Sequence, residues 1–232
     1  GIILSLSENL LPFHQDFVSK YFNEEVFPYL SPMIIQKDFI HSFILDSHIY
    51  QVISLLPRKK KRIEVTPSDY TYAIMKIPHT QVPRFVELPS HDGLHYIMFI
   101  DDIIRANLSR IFPGYRIGEC YSLKISRDAD FKIKEEDYAN LAERILKKVR
   151  KRKIGAVTRF QYDKEMPQYF LDYLCDTYEI EEDELLPSGR YLNLDDLINL
   201  PNPSNIKLTE DIPPPLQVPE FERNSSLLQV IR

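Results

Sequence analysis

Hydrophobic residues near the N-terminus recur with the period of a helix. Phe13, Phe17 and Phe22 fall at helical spacing between about residues 7 and 30, and Ser7 precedes them as an available cap. Pro12 lies near the first turn, where a helix tolerates proline. The pattern predicts an amphipathic N-terminal helix with an aromatic face.

Strands are predicted where β-branched, aromatic and aliphatic residues cluster or alternate with polar ones. Two apolar runs flank a basic loop that contains proline, which predicts a hairpin. A third run passes directly into a helix opened by Asp101 and Asp102. The predicted strands are residues 49–56, 70–77, 96–100, 121–127 and 156–162.

Helical periodicity returns in the second half of the chain. The longest predicted helix runs from about residue 135 to 152 and carries acids at its start and bases at its end, as the helix dipole favours. Pro167 starts another helix, and a short one is expected near 194–199 with Asn193 as its cap. The irregular order of strands and helices predicts an α+β (α/β-like) fold, a mixed β-sheet with helices packed on its faces.

The composition changes after about residue 200, where repeated prolines are incompatible with a helix and predict an extended segment. We therefore expect an N-terminal helical segment (1–30), a main domain (31–200) and a proline-rich C-terminal extension (201–232). The sequence begins with Gly1 rather than Met and ends in an apolar segment that no helix stop signal follows. These features predict a piece of a longer protein.

Composition narrows the class of protein. A chain of 232 residues with 44% hydrophobic content can bury a substantial core. The net charge of -5 argues against a surface that wraps nucleic acid, so no nucleic-acid partner is expected. The 2 cysteines lack disulfide-framework or zinc spacing, which favours a cytoplasmic setting. No apolar run approaches the roughly 20 residues of a membrane span, so no integral membrane segment is expected.

Motifs for metal or nucleotide chemistry are weak. The chain has 6 glycines and no glycine-rich phosphate loop. His91 and His95 have the spacing of two helix-borne ligands, but Gly93 lies between them and no third ligand is near, so a solvated loop is favoured. We expect neither a metal nor a cofactor in this chain.

Cationic residues divide into two groups. The basic run 58–62 and the basic end of the predicted helix 135–152 are best explained as a solvated hairpin tip and a complement to the helix dipole. Arg127, Arg159 and Arg190 are instead embedded among apolar residues in a strand or a turn. Such arginines either pair with carboxylates or contact phosphate. The carboxylates at hand in the sequence are Asp128 and Asp130.

Three strings in the sequence resemble those of bacterial-type polyphosphate kinases, the family in which a histidine is phosphorylated. They are Val-Pro-Arg-Phe-Val-Glu-Leu-Pro at 82–89, Tyr-Ser-Leu-Lys-Ile-Ser-Arg-Asp-Ala-Asp at 121–130 and Gly-Arg-Tyr-Leu-Asn at 189–193. The aromatic helix that leads to Pro32 and the acidic-Met-Pro turn at 163–167 agree with the same family. The similarity covers nearly the whole chain and identifies it with the head, or middle, domain.

The resemblance implies a parent enzyme, a transferase and phosphoprotein that moves the γ-phosphoryl of ATP through a phosphohistidine onto inorganic polyphosphate with magnesium. The histidines at positions 14, 41, 48, 79, 91 and 95 do not match the family's phosphorylated motif, so this chain is expected to hold no catalytic residue, ATP or Mg itself. The head domain is expected to help wall the polymer tunnel and to take part in homo-oligomer formation. Arg127, Arg159 and Arg190 are the candidate polyphosphate contacts.

Two other function classes stay open at this point. One is an independent polyanion- or nucleic-acid-binding module that uses the basic run and the basic helix end. The other is a pure interaction domain whose exposed aromatic helix docks on a partner subunit.

Overall fold

The fold was analysed in a computed structural model of the chain. The structure describes residues 1–36, 44–58, 66–128 and 156–204, together with 207, 210, 211, 213 and 214. By proximity the chain divides into two compact units, Gly1–Pro201 and Asn202–Arg232. The predicted helix at 135–152 lies outside the described residues.

The described residues form four α-helices and nine strands. The helices are α1 (Pro12–Tyr21), α2 (Ile100–Ala106), α3 (Leu108–Ile111) and α4 (Gln168–Tyr178). The strands are β1 (Ile2–Ser5), β2 (Met33–Ile34), β3 (Ile49–Pro57), β4 (Thr71–Lys76), β5 (Phe85–His91), β6 (Leu94–Phe99), β7 (Tyr115–Asp128), β8 (Ala156–Asp163) and β9 (Leu185–Ser188).

Six strands make the larger sheet, in the order β2-β4-β3-β7-β8-β9. The hairpin predicted from the two apolar runs is present, because β3 and β4 are antiparallel neighbours. All neighbouring pairs are antiparallel except β8 and β9, which run parallel. The sheet is thus mixed, and the α+β class is confirmed.

A second sheet, which the sequence pattern did not separate from the first, has the order β1-β6-β5. Its edge strand β1 pairs in parallel with β6, and β5 and β6 form a hairpin. The turn of that hairpin includes Asp92 and Gly93, both at positive φ. A prediction based on apolar runs misses the β5–β6 pairing, because polar residues at 90–93 interrupt the run.

The two large faces of the six-stranded sheet bury separate cores. One core joins α1, α2 and the three-stranded sheet through Val18, Phe22, Met98 and Ile104. The other packs α4 against the sheet, as the apolar stripe at 170, 171 and 174 predicts. Because both faces of β3 are buried, its residues are mostly apolar and do not alternate with period two.

The N-terminal helix is shorter than the pattern suggests. It begins at Pro12, and a π-helical turn (Phe22–Val26) and a 3-10 turn (Phe27–Tyr29) follow it. Ser7 does not cap this helix. It opens a separate 3-10 turn, Ser7–Asn9, and its hydroxyl donates to Asp102. The aromatic face is divided, since Phe22 is fully buried and Phe13 is 44% exposed.

The C-terminal elements also differ in detail from expectation. Pro167 occupies the cap position of α4 rather than its first turn. Residues Leu194–Asn199 form a 3-10 helix instead of an α-helix. Asn193 precedes it with φ 56, and its side chain accepts a hydrogen bond from Lys124 Nζ at 2.6 Å instead of capping the helix. Lys124 thereby ties this segment to β7.

Candidate functional site

Two adjacent carboxylates, Asp101 and Asp102, lie at the start of α2 with no exposed surface. The buried strand β6 leads straight into the helix, so its first turn is carried into the interior between the two sheets. Acids in a first helical turn complement the helix dipole, but burying a charge requires direct partners as well. Those partners come from distant parts of the sequence.

Asp101 is held by Arg84, which precedes β5. The guanidinium donates from Nη2 to Asp101 Oδ1 at 3.2 Å and from Nε to Oδ2 at 3.3 Å. Its Nη1 donates to Asp196, in the 3-10 helix Leu194–Asn199. Burial raises the pKa of the Asp101 carboxyl, and the adjacent Arg84 opposes that rise. This two-point pair fixes the loop before β5 and the segment around residue 196 onto α2.

Asp102 receives donors from both the beginning and the end of the unit. Ser7 Oγ donates to Asp102 Oδ1 at 3.0 Å, and Arg190 Nη2 donates to the same oxygen. The hydroxyl of Tyr191 donates to Oδ2, and its ring stacks on Phe99 at a centroid distance of 4.0 Å. We call Asp101, Asp102 and these partners the aspartate junction, because they join the incoming chain, α2 and the outgoing chain.

Arg190 also reaches the surface at Glu8. The distance between Arg190 Nη1 and Glu8 Oε1 is 2.8 Å, and the Glu8 side chain is 57% exposed. Partial burial acts to raise the pKa of Glu8, but the hydrogen bond and charge of Arg190 lower it overall. Burial acts to lower the pKa of Arg190, and its bonds to Glu8 and Asp102 raise it overall. Arg190 is therefore a permanent cation already paired with two carboxylates.

A cleft of about 460 Å³ opens beside the aspartate junction. Its walls come from the Ser7–Glu8 segment, the end of α2, the middle of β7, the turn after β8 and the Gly189–Arg190 loop. The cleft contains the cations Arg105, Lys164 and Arg190. Carboxylates are also present on its walls, at positions 8, 119, 163 and 165.

Cys120 on the cleft wall is not poised as a nucleophile. Burial raises the pKa of its thiol to about 11, so the reactive thiolate is scarce at neutral pH. Glu119 accepts a hydrogen bond from the hydroxyl of Tyr169 and is thus occupied. The charged and polar side chains of the cleft can bind a ligand by hydrogen bonds and charge.

The three arginines singled out from the sequence lie in different environments. Arg190 belongs to the aspartate junction, whereas Arg127 and Arg159 lie on the neighbouring strands β7 and β8. Ser126 is opposite Arg159 in the register, and the pairing slips by one residue between Ser126 and Arg127. Arg159 is exposed and makes no ion pair with the described residues, whereas Arg127 is half-buried.

Arg127 lies near the acidic side chain of a turn rather than in open solvent. Its backbone N–H donates to Asp46 Oδ1 at 2.7 Å. Burial lowers the pKa of the Arg127 guanidinium, and the charge of Asp46 opposes that effect. The strand end is thereby fixed to the loop before β3.

The partners predicted for these arginines from adjacency in sequence need revision for Arg190. Its carboxylates are Glu8 and Asp102, which are 182 and 88 residues away in sequence. Asp130 lies outside the described residues, and Asp128 is described only by its place in β7. The pairing of these two acids with Arg127 or Arg159 stays a prediction.

Arg84 and the two aspartates of α2 were not recognised as a site from the sequence. Arg84 stands beside apolar residues in the sequence, so the rule that selected the other three arginines applies to it as well. Two consecutive acids directly after the buried run 96–100 were interpreted only as a helix start. Their position directly after an apolar run was the signal that could have identified them, because a helix that follows a buried strand begins inside the protein.

Among the described residues, no group of three or more histidine, cysteine, aspartate or glutamate side chains could hold a metal ion. None of the helices in the described ranges combines the length and apolar character that crossing a bilayer requires.

The α+β fold of this chain matches that of a solved polyphosphate kinase. A crystal structure of polyphosphate kinase from Porphyromonas gingivalis superimposes with a TM-score of 0.72 at 35% identity, over 100% of this chain and 32% of that one. The family model described as "Polyphosphate kinase middle domain" matches residues 14–200. The chain therefore belongs to the polyphosphate kinase family, as the three sequence strings indicated.

Curated relatives agree with this assignment. The polyphosphate kinase of Vibrio cholerae is 32% identical over 223 residues, which are 93% of this chain and 30% of that protein. The polyphosphate kinase of Escherichia coli K12 is 29% identical over 216 residues, which are 90% of this chain and 30% of that protein. The chain spans about a third of the length of the relatives that it matches.

Proposed function

We propose that this chain serves as the head domain of an enzyme that transfers phosphoryl groups between ATP and inorganic polyphosphate with magnesium. In this role it contributes a wall of the polymer's path and takes part in homo-oligomer formation, in the cytoplasm. The phosphohistidine and the sites for ATP and Mg belong to other parts of the parent, and the chain alone does not catalyse. The match of residues 14–200 to the family's middle domain carries the proposal.

Arg159 is the leading candidate for contact with the polymer. Its side chain is exposed on β8 and has no carboxylate partner in the described part of the chain. A phosphate group can therefore bind it without first displacing an acid, and each such contact also releases counterions. Arg127 on the next strand is the second candidate. Arg190 ranks third, because a phosphate would have to compete with Glu8 and Asp102.

Calorimetry with long-chain polyphosphate at two salt concentrations tests this role. We expect salt-sensitive binding that Arg159→Ala weakens several-fold and that Arg127→Ala weakens less. Arg110→Ala, at an exposed arginine on α3, is the matched control and should bind like the wild type. Absent binding, or equal binding by Arg159→Ala and the control, would contradict a role of this domain in the polymer's path.

Subunit association is proposed from exposed aromatic side chains near the N-terminus. Phe13, Phe27 and Tyr29 are 44%, 49% and 53% exposed, and exposed apolar patches are typical of interaction sites. Sedimentation at several concentrations should show association that Phe13→Asp weakens. Gln15→Asp adds the same charge to an exposed position of α1 and should have no effect. Equal association of both variants would contradict this contact.

A further inference from the structure

We propose that the cleft beside the aspartate junction binds one phosphate group, as free phosphate or as a small phosphate monoester, through Arg105 and Lys164. This inference is independent of the proposed role in the polymer's path, because it rests on other residues. At about 460 Å³ the cleft falls within the size range of small-molecule sites.

Arg105 lacks, among the described residues, the carboxylate partner that a half-buried arginine normally has. Its Nη2 donates to Ser122 Oγ at 3.0 Å, and no ion pair joins it to a carboxylate of the described residues. Its Nε is buried without an acceptor there, as is Nε of Arg190 on the same cleft. Buried donors without acceptors are rare in folded proteins, and a bound anion is one of their common explanations.

A further cation, Lys164, lines the cleft from the turn after β8. Its side chain is exposed without a carboxylate partner in the described ranges. The backbone N–H of Lys164 donates to Ser188 O at 2.9 Å, so the turn that carries it is fixed to β9. An anion between Arg105 and Lys164 would thus meet two charges on anchored backbone.

The carboxylates of the cleft limit the size and charge of the anion that can bind there. Glu119 is occupied by the Tyr169 hydroxyl, and Asp163 is buried with Oδ1 accepting from the backbone of Glu165 at 3.1 Å. These negative charges repel a long chain of phosphates but leave the cationic pair open to a single group. Carboxylates on the remaining wall can accept hydrogen bonds from the hydroxyls of a small ester.

Glu8 regulates the third cation of the cleft. The Glu8 side chain is exposed while it pairs with Arg190. Breaking this pair costs little free energy, because water then hydrates the carboxylate. A phosphate in the cleft competes with Glu8 for the outer face of Arg190, whereas Asp102 keeps the inner face. Removing the charge of Glu8 should therefore strengthen phosphate binding.

Calorimetry with inorganic phosphate and with glycerol phosphate, each titrated into this chain, tests the proposal. Lys164→Ala and Arg105→Ala should each weaken binding by about tenfold, the size expected for one charge-assisted hydrogen bond. Glu8→Gln should tighten it, and Arg110→Ala and Arg159→Ala should leave it unchanged. Lys164 and Glu8 are exposed, so their variants retain the fold even if Arg105→Ala does not.

The two ligands distinguish the source of the phosphate. If both ligands bind with similar affinity, the cleft recognises the phosphate group alone. If glycerol phosphate binds more tightly, the cleft recognises an ester whose hydroxyls reach the acidic wall. The absence of binding by either ligand at millimolar concentration overturns the proposal. So does binding that Lys164→Ala and Glu8→Gln leave unchanged. Neither outcome affects the test of Arg159 with polyphosphate.

Discussion

The aspartate junction and the exposed end of β8 use arginine in opposite ways. At the junction, Arg84 gives its donors to the fully buried Asp101 and to Asp196. On β8, Arg159 has no carboxylate partner in the described ranges and faces solvent. Each arginine directly precedes a phenylalanine in the sequence. Tertiary structure therefore decides whether such an arginine is structural or available to a ligand.

The difference has an energetic basis. A buried charge that loses its partner keeps its desolvation penalty, so each member of the Arg84–Asp101 pair depends on the other. An exposed guanidinium is hydrated in the free protein and costs little without a partner. Substitutions at the junction should therefore act on folding, and substitutions on β8 should act on binding.

The largest effect is expected from breaking the buried pair. Arg84→Ala should lower the free energy of unfolding by about 3–5 kcal/mol, because the buried charge of Asp101 is left alone. Asp101→Ala should also lower it, since Arg84 then keeps only Asp196 as a partner. Urea denaturation measures this loss. Arg84→Met combined with Asp101→Leu removes both charges and should be clearly less destabilising than either alanine variant. Additive losses in the double variant would contradict the assignment of a buried ion pair.

A smaller loss is expected at the second aspartate. Asp102→Asn should cost about 1.5–3 kcal/mol, since the bonds from Arg190 and Tyr191 lose their charged acceptor. Tyr191→Phe removes one of those donors and should cost about 1 kcal/mol. The same urea titration compares the two. Tyr191→Phe keeps the ring on Phe99 and removes only the hydroxyl. If it cost more than Asp102→Asn, the charge of Asp102 would not be the main tie between α2 and the outgoing chain.

The free energy of unfolding should also decrease gradually as the pH rises into the alkaline range, by less than in the variants above. Burial raises the pKa of Tyr72 and of Tyr121 to about 12, against an ordinary value near 10. Between these values the unfolded chain loses the proton and the folded chain keeps it, so stability declines as pH rises. Unfolding in urea at pH 9 and pH 11 measures the decline. Tyr72→Phe should reduce it, and an identical decline in that variant would contradict the role of Tyr72.

The smallest effect on folding is expected on β8. Arg159→Ala should change the free energy of unfolding by no more than about 0.5 kcal/mol, because the side chain has no partner in the described structure to lose. A loss comparable with that of Arg84→Ala would mean that Arg159 is structural, and the contrast between the two regions would fail.

The elements with a clean period were predictable from the sequence. The β3–β4 hairpin, the strand and helix around residue 100, and the buried stripe of α4 follow from apolar spacing alone. The second sheet did not, because β1 has only 4 residues and pairs with β6 more than 90 residues away, and because polar residues at 90–93 interrupt the apolar pattern between β5 and β6. The N-terminal helix ends at Tyr21 rather than near residue 30, and π and 3-10 turns follow it.

The candidate site was predictable only in its residue types. Arg190 was selected because it lies in a turn beside apolar residues, yet its partners Ser7, Glu8 and Asp102 are far away in the chain. No local pattern encodes such pairing. The cleft was not foreseen at all, since Arg105 looks like an ordinary basic residue at a helix end.

Thermal unfolding with and without polyphosphate tests the division between structural and available arginines most directly. Wild type should melt at a higher temperature with polymer, since a ligand bound only by the folded state stabilises it. Arg159→Ala should melt like wild type without polymer and lose most of the polymer-induced rise. Arg84→Ala should melt lower without polymer and keep the rise. No rise in the wild type, or a full rise in Arg159→Ala, would contradict the account.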